Sequence, residues 1–154
     1  MEYIYGLDIS MSNTGLAIFD EKMNPVEIMS IHTKSGMEHK DRLKTIADRL
    51  LEIRKKYPTS LIILESGFSR YAASTQAIYK CHGLIQYIFC DTTQVLLAPS
   101  SIKKLITGSG KADKHQVQEK ILNKFPQLQF KNEDESDAVG ACIAYFVQIG
   151  SMKL

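Results

Sequence analysis

Hydrophobic positions along the chain change period several times, and each change marks an element. Tyr3–Asp8 is a short β-prone run that ends in an acid. The polar stretch Ser10-Met-Ser-Asn-Thr-Gly15 reads as a hairpin connection, and 16–19 as the second strand. Asn24-Pro25 turns the chain into a third strand at 26–31. From Glu38 the period lengthens. Leu43, Ile46, Ala47, Leu50 and Leu51 form one apolar stripe of a helix. Lys40, Arg42, Lys44, Arg54, Lys55 and Lys56 decorate its other faces, and Tyr57-Pro58 stops it.

The run 60–64 is almost wholly apolar, as in a strand covered on both sides, and leads straight into Glu65. A loop holding Gly67 precedes a helix at 74–89, with Ile78, Cys81, Ile85 and Ile88 at helical spacing. Residues 94–98 give a fifth strand. Pro99-Ser100-Ser101 starts a short helix with a serine cap, which Gly108-Ser-Gly110 breaks. Another helix starts at Ala112 or Asp113 and ends at Pro126; the last covers 135–149. Counted without the short helix, the order is β-β-β-α-β-α-β-α-α. Three antiparallel strands followed by alternating helices and strands predict an α/β fold. Its five-stranded mixed sheet is flanked by helices, in one domain spanning 1–154.

Composition adds bounds. A chain of 154 residues with 44% hydrophobic and 23% charged residues is ordinary for a globular domain, and a net charge of +2 does not by itself argue for a polyanionic partner. The distribution says more. Lys103, Lys104, Lys111, Lys114, Lys120 and Lys124 face only Asp113 and Glu119, whereas Glu133, Asp134, Glu135 and Asp137 crowd behind Lys131. Lysines beside a carboxylate cluster suit a phosphate ester together with a cation. Cys81, Cys90 and Cys142 lack ligand spacing and read as buried reduced thiols. Charged Glu2 and Asp8 interrupt any leader-like run, and no apolar stretch is long enough for a membrane span. The expected compartment is the cytoplasm.

Two strands end in acids, Asp8 and Glu65, and the last helix opens on Asp134-Glu-Ser-Asp137, whose aspartates share a face. Packing of that helix through Ala138, Ala141 and Cys142 would bring both pairs together. Gathered carboxylates repel unless a cation compensates, and their hard oxygens suit Mg²⁺, with Mn²⁺ as a substitute. Two such ions would serve phosphodiester hydrolysis. Asp134 and Asp137 also fit as plain helix-start acids; Asp8 has little structural reason for its place.

Gly6-Leu-Asp8-Ile-Ser10 through Thr14-Gly15 resembles the opening hairpin of the RuvC family of Holliday junction resolvases. Leu64-Glu65-Ser-Gly-Phe68 is similar to the family's second acidic motif, Ile102-Lys103 through Lys111-Ala-Asp-Lys114-His-Gln-Val117 to its basic motif, and Asp134-Glu-Ser-Asp137-Ala138 to its closing acids. The resemblance implies a ribonuclease H-like fold and metal-dependent nicking of branched DNA, above all four-way junctions. It makes Asp8, Glu65, Asp134 and Asp137 metal ligands and catalytic acids. Lys114 becomes a catalytic phosphate contact, and Lys103 and Phe68 become DNA contacts; the neighbouring basic residues Lys104, Lys111 and Arg70 are read as further DNA contacts. It further implies a homodimer, with helix 74–90 as its face through Ile78, Ile85 or Phe89. The chain departs from the family in carrying Ile9-Ser10 where Pro-Gly is usual, and its brevity resembles phage-encoded members, whose place would be the host-cell cytoplasm.

Other readings share parts of this pattern. A ribonuclease H-like enzyme could act on other nucleic acids, such as RNA–DNA hybrids, and a binding module could hold a junction without cutting it. Nucleotide-binding domains of the actin and sugar-kinase type also carry a strand-Asp-Thr-Gly hairpin, but they need a second domain to enclose ATP. Gly108-Ser-Gly110-Lys111 lacks the spacing of a phosphate-binding loop, so no nucleotide cofactor is expected.

Overall fold

The computed structural model describes residues 1–66 and 72–154. Strands β1 (Tyr3–Asp8), β2 (Asn13–Phe19) and β3 (Pro25–His32) form an antiparallel meander. Helix α1 (His39–Lys56) then crosses to β4 (Thr59–Glu65), which lies parallel to β1. Helix α2 (Ala72–Ile88) leads to β5 (Thr93–Leu97), parallel to β4. Three helices finish the chain: α3 (Pro99–Thr107), α4 (Lys114–Lys124) and α5 (Glu133–Gln148). The sheet order β3-β2-β1-β4-β5 is the expected five-stranded mixed sheet. The short helix after β5 is a full element, so the order holds one more helix than the counted pattern. Its N-cap is Ala98 with Pro99 in the first turn; no serine caps it.

Strand alternation divides the core in two. Tyr5 and Leu7 of β1, Leu16 and Ile18 of β2, and Ile62 and Leu64 of β4 face α1 and α2, where they meet Ile46, Leu50, Cys81, Ile85 and Phe89. The opposite parity, Ala17, Phe19 and Ile63, faces Ile102, Ile121, Ala138, Cys142 and Phe146 of α3, α4 and α5. Each fully buried Leu, Ile or Phe contributes about 1.5–3 kcal/mol of transfer free energy. α5 lies closest to the sheet: a Cβ at Gly6 would stand 2.1 Å from the Ala138 carbonyl oxygen, and one at Gly15 only 1.9 Å from that of Asp134. Glycine is required at both positions because helix backbone occupies the space of a side chain.

Several expectations are corrected here. Arg42 is not on an outer face of α1; it is 7% exposed, while Leu51 is 44% exposed. The buried stripe is Arg42, Ile46, Leu50 and Ile53. Cys81 and Cys142 are buried thiols, but Cys90 is exposed. Ile85 and Phe89 sit in the core beneath α2 and are closed to a partner. Among the described residues no helix is long and apolar enough to cross a membrane.

Candidate active site

Parity and register build the site. Asp8 follows Ile4 and Gly6 on the α5 side of β1, and Glu65 follows Leu61 and Ile63 on the same side of β4. The parallel pairing sets Leu7 opposite Leu64, so the two acids emerge side by side at the carboxyl ends of neighbouring strands. On α5, Asp134 and Asp137 lie one turn before Ala138 and Ala141, which are fully buried against the sheet. They continue the helix's buried stripe past the strand ends. Asn132 caps the helix, its side chain accepting from the Glu135 backbone N–H.

Asp8, Glu65 and Asp137 each offer a carboxylate oxygen, all within 4.8 Å of one another. Asp134 stands outside this trio but is near enough to Asp8 to raise it, so Asp8 adjoins both. Burial, then Glu65 and Asp137, push Asp8 up to about 8. Burial and Asp137 push Glu65 up to about 7 against the pull of Lys114 and Lys103. Asp137 is also raised by burial, with Lys114 opposing. Carboxyls pushed upward by burial and by one another are what a cluster suited to a cation should show. The donor set, all hard oxygens with excess negative charge, fits a divalent cation such as Mg²⁺ or Mn²⁺.

The lysines separate. Lys103 and Lys114 line a cavity of about 220 Å³ together with Glu65, Asp137 and Ser136, closed by Pro99, Ile102, Val117 and Gly140. Lys114 Nζ lies 2.6 Å from Glu133 and 3.5 Å from Asp137. Lys104 is exposed on α3 and outside this cavity, and Lys111 borders a different depression with Thr107 and Lys120. Neither reaches the acids. Phe68 and Arg70 lie outside the described residues.

The acidic run on α5 divides three ways. Asp134 and Asp137 face the site. Glu133 holds Lys114. Glu135 is 2% exposed and accepts from Ser30 Oγ and the Lys131 backbone, a structural acid that ties α5 to β3. Asn13 is a residue that the motif reading passed over, although it lies inside the opening hairpin. Its Nδ2 donates to Asp134 Oδ2. Counting back by twos from Phe19 and Ala17 would have set it on the α5 side.

A sequence model of the family described as crossover junction endodeoxyribonuclease RuvC matches residues 4–145. The chain belongs to the RuvC family. Relatives include the crossover junction endodeoxyribonuclease RuvC of Rhizobium etli, 25% identical over 98% of this chain and 93% of the relative. That of Endomicrobium trichonymphae is 30% identical over 92% of this chain and 79% of the relative. Among solved structures, Thermus thermophilus RuvC in complex with a Holliday junction substrate superposes with a TM-score of 0.85 at 16% identity, covering 98% of both chains. At that identity the likeness concerns the fold, and it bears out the ribonuclease H-like architecture that the family resemblance implied and the element order fits. As a RuvC-family crossover junction endodeoxyribonuclease, the chain is a metal-dependent DNA hydrolase.

Proposed function

We propose that this RuvC-family chain acts as one nuclease domain over residues 1–154, working as a homodimer in the cytoplasm. It resolves four-way DNA junctions by paired Mg²⁺-dependent nicks, with Mn²⁺ able to replace Mg²⁺. The observation that carries this reading is the trio of carboxylate oxygens within 4.8 Å, set beside Lys103 and Lys114. Asp8 adjoins both the trio and Asp134, and four carboxylates would supply enough charge for two ions. When bound, divalent cations supply Lewis acidity, lowering the pKa of water and offsetting charge on the leaving oxygen.

The chain's own residues do the rest. Asp8, Glu65, Asp134 and Asp137 are the residues that would hold the cations. Lys114, released from Glu133, meets the charge that grows on phosphorus oxygens as a water oxygen bonds to phosphorus and the P–O3′ bond breaks. Lys103 holds the adjoining phosphate. Lys104 and Lys111 serve flanking DNA through the counterion release that any exposed lysine gives. Phe68 is assigned to the junction centre through family resemblance, and Arg70, beside it in sequence, to a further DNA contact.

The test is incubation with a synthetic four-way junction, linear duplex and RNA–DNA hybrid, each with Mg²⁺ and with EDTA. Symmetric nicks in the junction alone, lost in EDTA, are expected. Equal cutting of the hybrid would transfer the activity to another ribonuclease H-like class.

With Ile85 and Phe89 committed to the core, the dimer face is the outer stripe of α2: Tyr79 and Tyr87, 63% and 80% exposed, flanking Gly83. Two large exposed aromatics on one helix face suit a protein–protein contact. Tyr87→Arg is expected to convert the dimer to monomer in light scattering and to uncouple the paired nicks. An unchanged dimer would place the interface elsewhere.

A further inference from the structure

The turn between β1 and β2 is fixed more firmly than a connecting turn requires. Ser10 Oγ donates to the Asn13 carbonyl at 2.6 Å and accepts from the Asn13 N–H at 3.1 Å. Thr14 Oγ1 donates to the Ser10 carbonyl. Behind the turn, the buried Arg42 donates through Nη2 to Ser12 Oγ at 2.8 Å and through Nε to Thr33 Oγ1 at 2.7 Å. Thr33 in turn donates to the carbonyls of Met11 and Ser12. Arg42 has no carboxylate partner among the described residues, so its guanidinium serves the turn and does not neutralise an acid.

The residue delivered by this scaffold is Asn13. Its Nδ2 donates to Asp134, while its Oδ1 is buried without a hydrogen-bond partner. A buried, unpartnered amide oxygen is destabilising, and the orientation that leaves it so is the one that grips Asp134. We propose that Asn13 is a positioning residue: its amide holds the Asp134 carboxylate against Asp8 so that the pair presents a preformed ligand set to the cation. The inference rests on the nuclease reading and adds a residue to it. A neutral donor suits the task. It orients a carboxylate without cancelling the charge the cation needs, whereas a lysine there would compete with the metal.

The test compares the parent with Asn13→Ala, and with Asn13→Ser, whose side chain is too short to reach Asp134. Mn²⁺ binding is measured by calorimetry on DNA-free protein, alongside the Mn²⁺ dependence of nicking, junction affinity in EDTA, and Tm in EDTA. Partners that orient metal ligands typically govern 10–100-fold in affinity. Both variants are therefore expected to bind Mn²⁺ about 10–100-fold more weakly. Half-maximal nicking should need correspondingly more Mn²⁺, with most of the rate recovered at saturation. Junction affinity and metal-free Tm should stay at the parental level, since the substitutions also remove the orphaned oxygen. Parental Mn²⁺ affinity in either folded variant would overturn the proposal, as would a lower metal-free Tm with an unchanged metal requirement. Calorimetry needs no substrate, so a parent that binds Mn²⁺ yet nicks nothing would count against the nuclease reading and leave the Asn13 comparison intact.

Discussion

Asp8→Asn is expected to abolish nicking while making the metal-free protein more stable at pH 8. Asp8 belongs to the carboxylate trio and also contacts Asp134, so its loss disturbs every grouping of the four acids. A fall in rate of at least about a thousandfold is expected, the upper range for removing one preorganised charge-stabilising group. Junction binding in EDTA should persist, because the proposed phosphate contacts are made by lysines and not by Asp8. The stability sign follows from burial. Asp8 rises from its ordinary 3.8 to about 8, and Glu65 from 4.5 to about 7. A carboxyl raised on folding keeps a proton that the unfolded chain releases. Its contribution is complete below the unfolded range and is lost as pH climbs through the folded value. In EDTA the parent's Tm should therefore fall between about pH 5 and 8, and Mg²⁺ should restore it most at the upper end.

Asparagine cannot ionise, so the Asp8→Asn variant should lose Asp8's share of that fall and show a shallower decline, the remainder coming from Glu65 and Asp137. At pH 8 it should exceed the parent by roughly 3 °C or more, about what 1 kcal/mol produces in a chain of this length. Thermal melts at pH 5.5 and 8, with and without Mg²⁺, read this directly. A variant less stable than its parent at pH 8 without metal would show that the cluster is not under electrostatic strain.

Gly15→Ala should be almost as damaging, though its side chain carries no chemistry. The added methyl would lie 1.9 Å from the carbonyl oxygen and 2.3 Å from the carbonyl carbon of Asp134, both backbone atoms that cannot swing aside. The first turn of α5 has to lift off the sheet, carrying Asp134 and Asp137 with it. Overpacking of this kind costs about 1–3 kcal/mol, and a displacement of about 1 Å at reacting groups can cost about a hundredfold in rate. Denaturant melts and the junction assay should register both losses. Gly36→Ala, where nothing lies within 4 Å, is the matched control and should leave both unchanged. Parental rate and stability in Gly15→Ala would mean that α5 does not rest on β2 as described.

Local pattern alone set much of this protein. Two-residue alternation and continuous apolar runs marked the five strands, the helical stripes marked α1, α2 and α5, and acids at the ends of two strands marked Asp8 and Glu65. These features are legible because side-chain direction repeats with a fixed period in each element, so burial leaves its imprint on neighbouring residues in sequence. The lysine motif and the closing aspartates could be aligned with the family's pattern for the same reason: their spacing is local.

What local spacing could not decide was which of several similar residues would meet. Asp134, Glu135 and Asp137 share one short run, yet Glu135 ties α5 to β3 while the aspartates reach the site. Lys103 lines the acidic cavity and Lys104 does not. Arg42 looked like surface charge and is buried under a turn that orients Asn13. Each outcome depends on contacts between segments far apart in the chain: the β1–β4 register, the seating of α5 over Gly6 and Gly15, and the approach of α1 to the hairpin. The sequence by itself determined the elements and the supply of acids and lysines. Only the tertiary structure decided which of them stand together at one site, because strand register and helix packing are set by the whole buried surface at once.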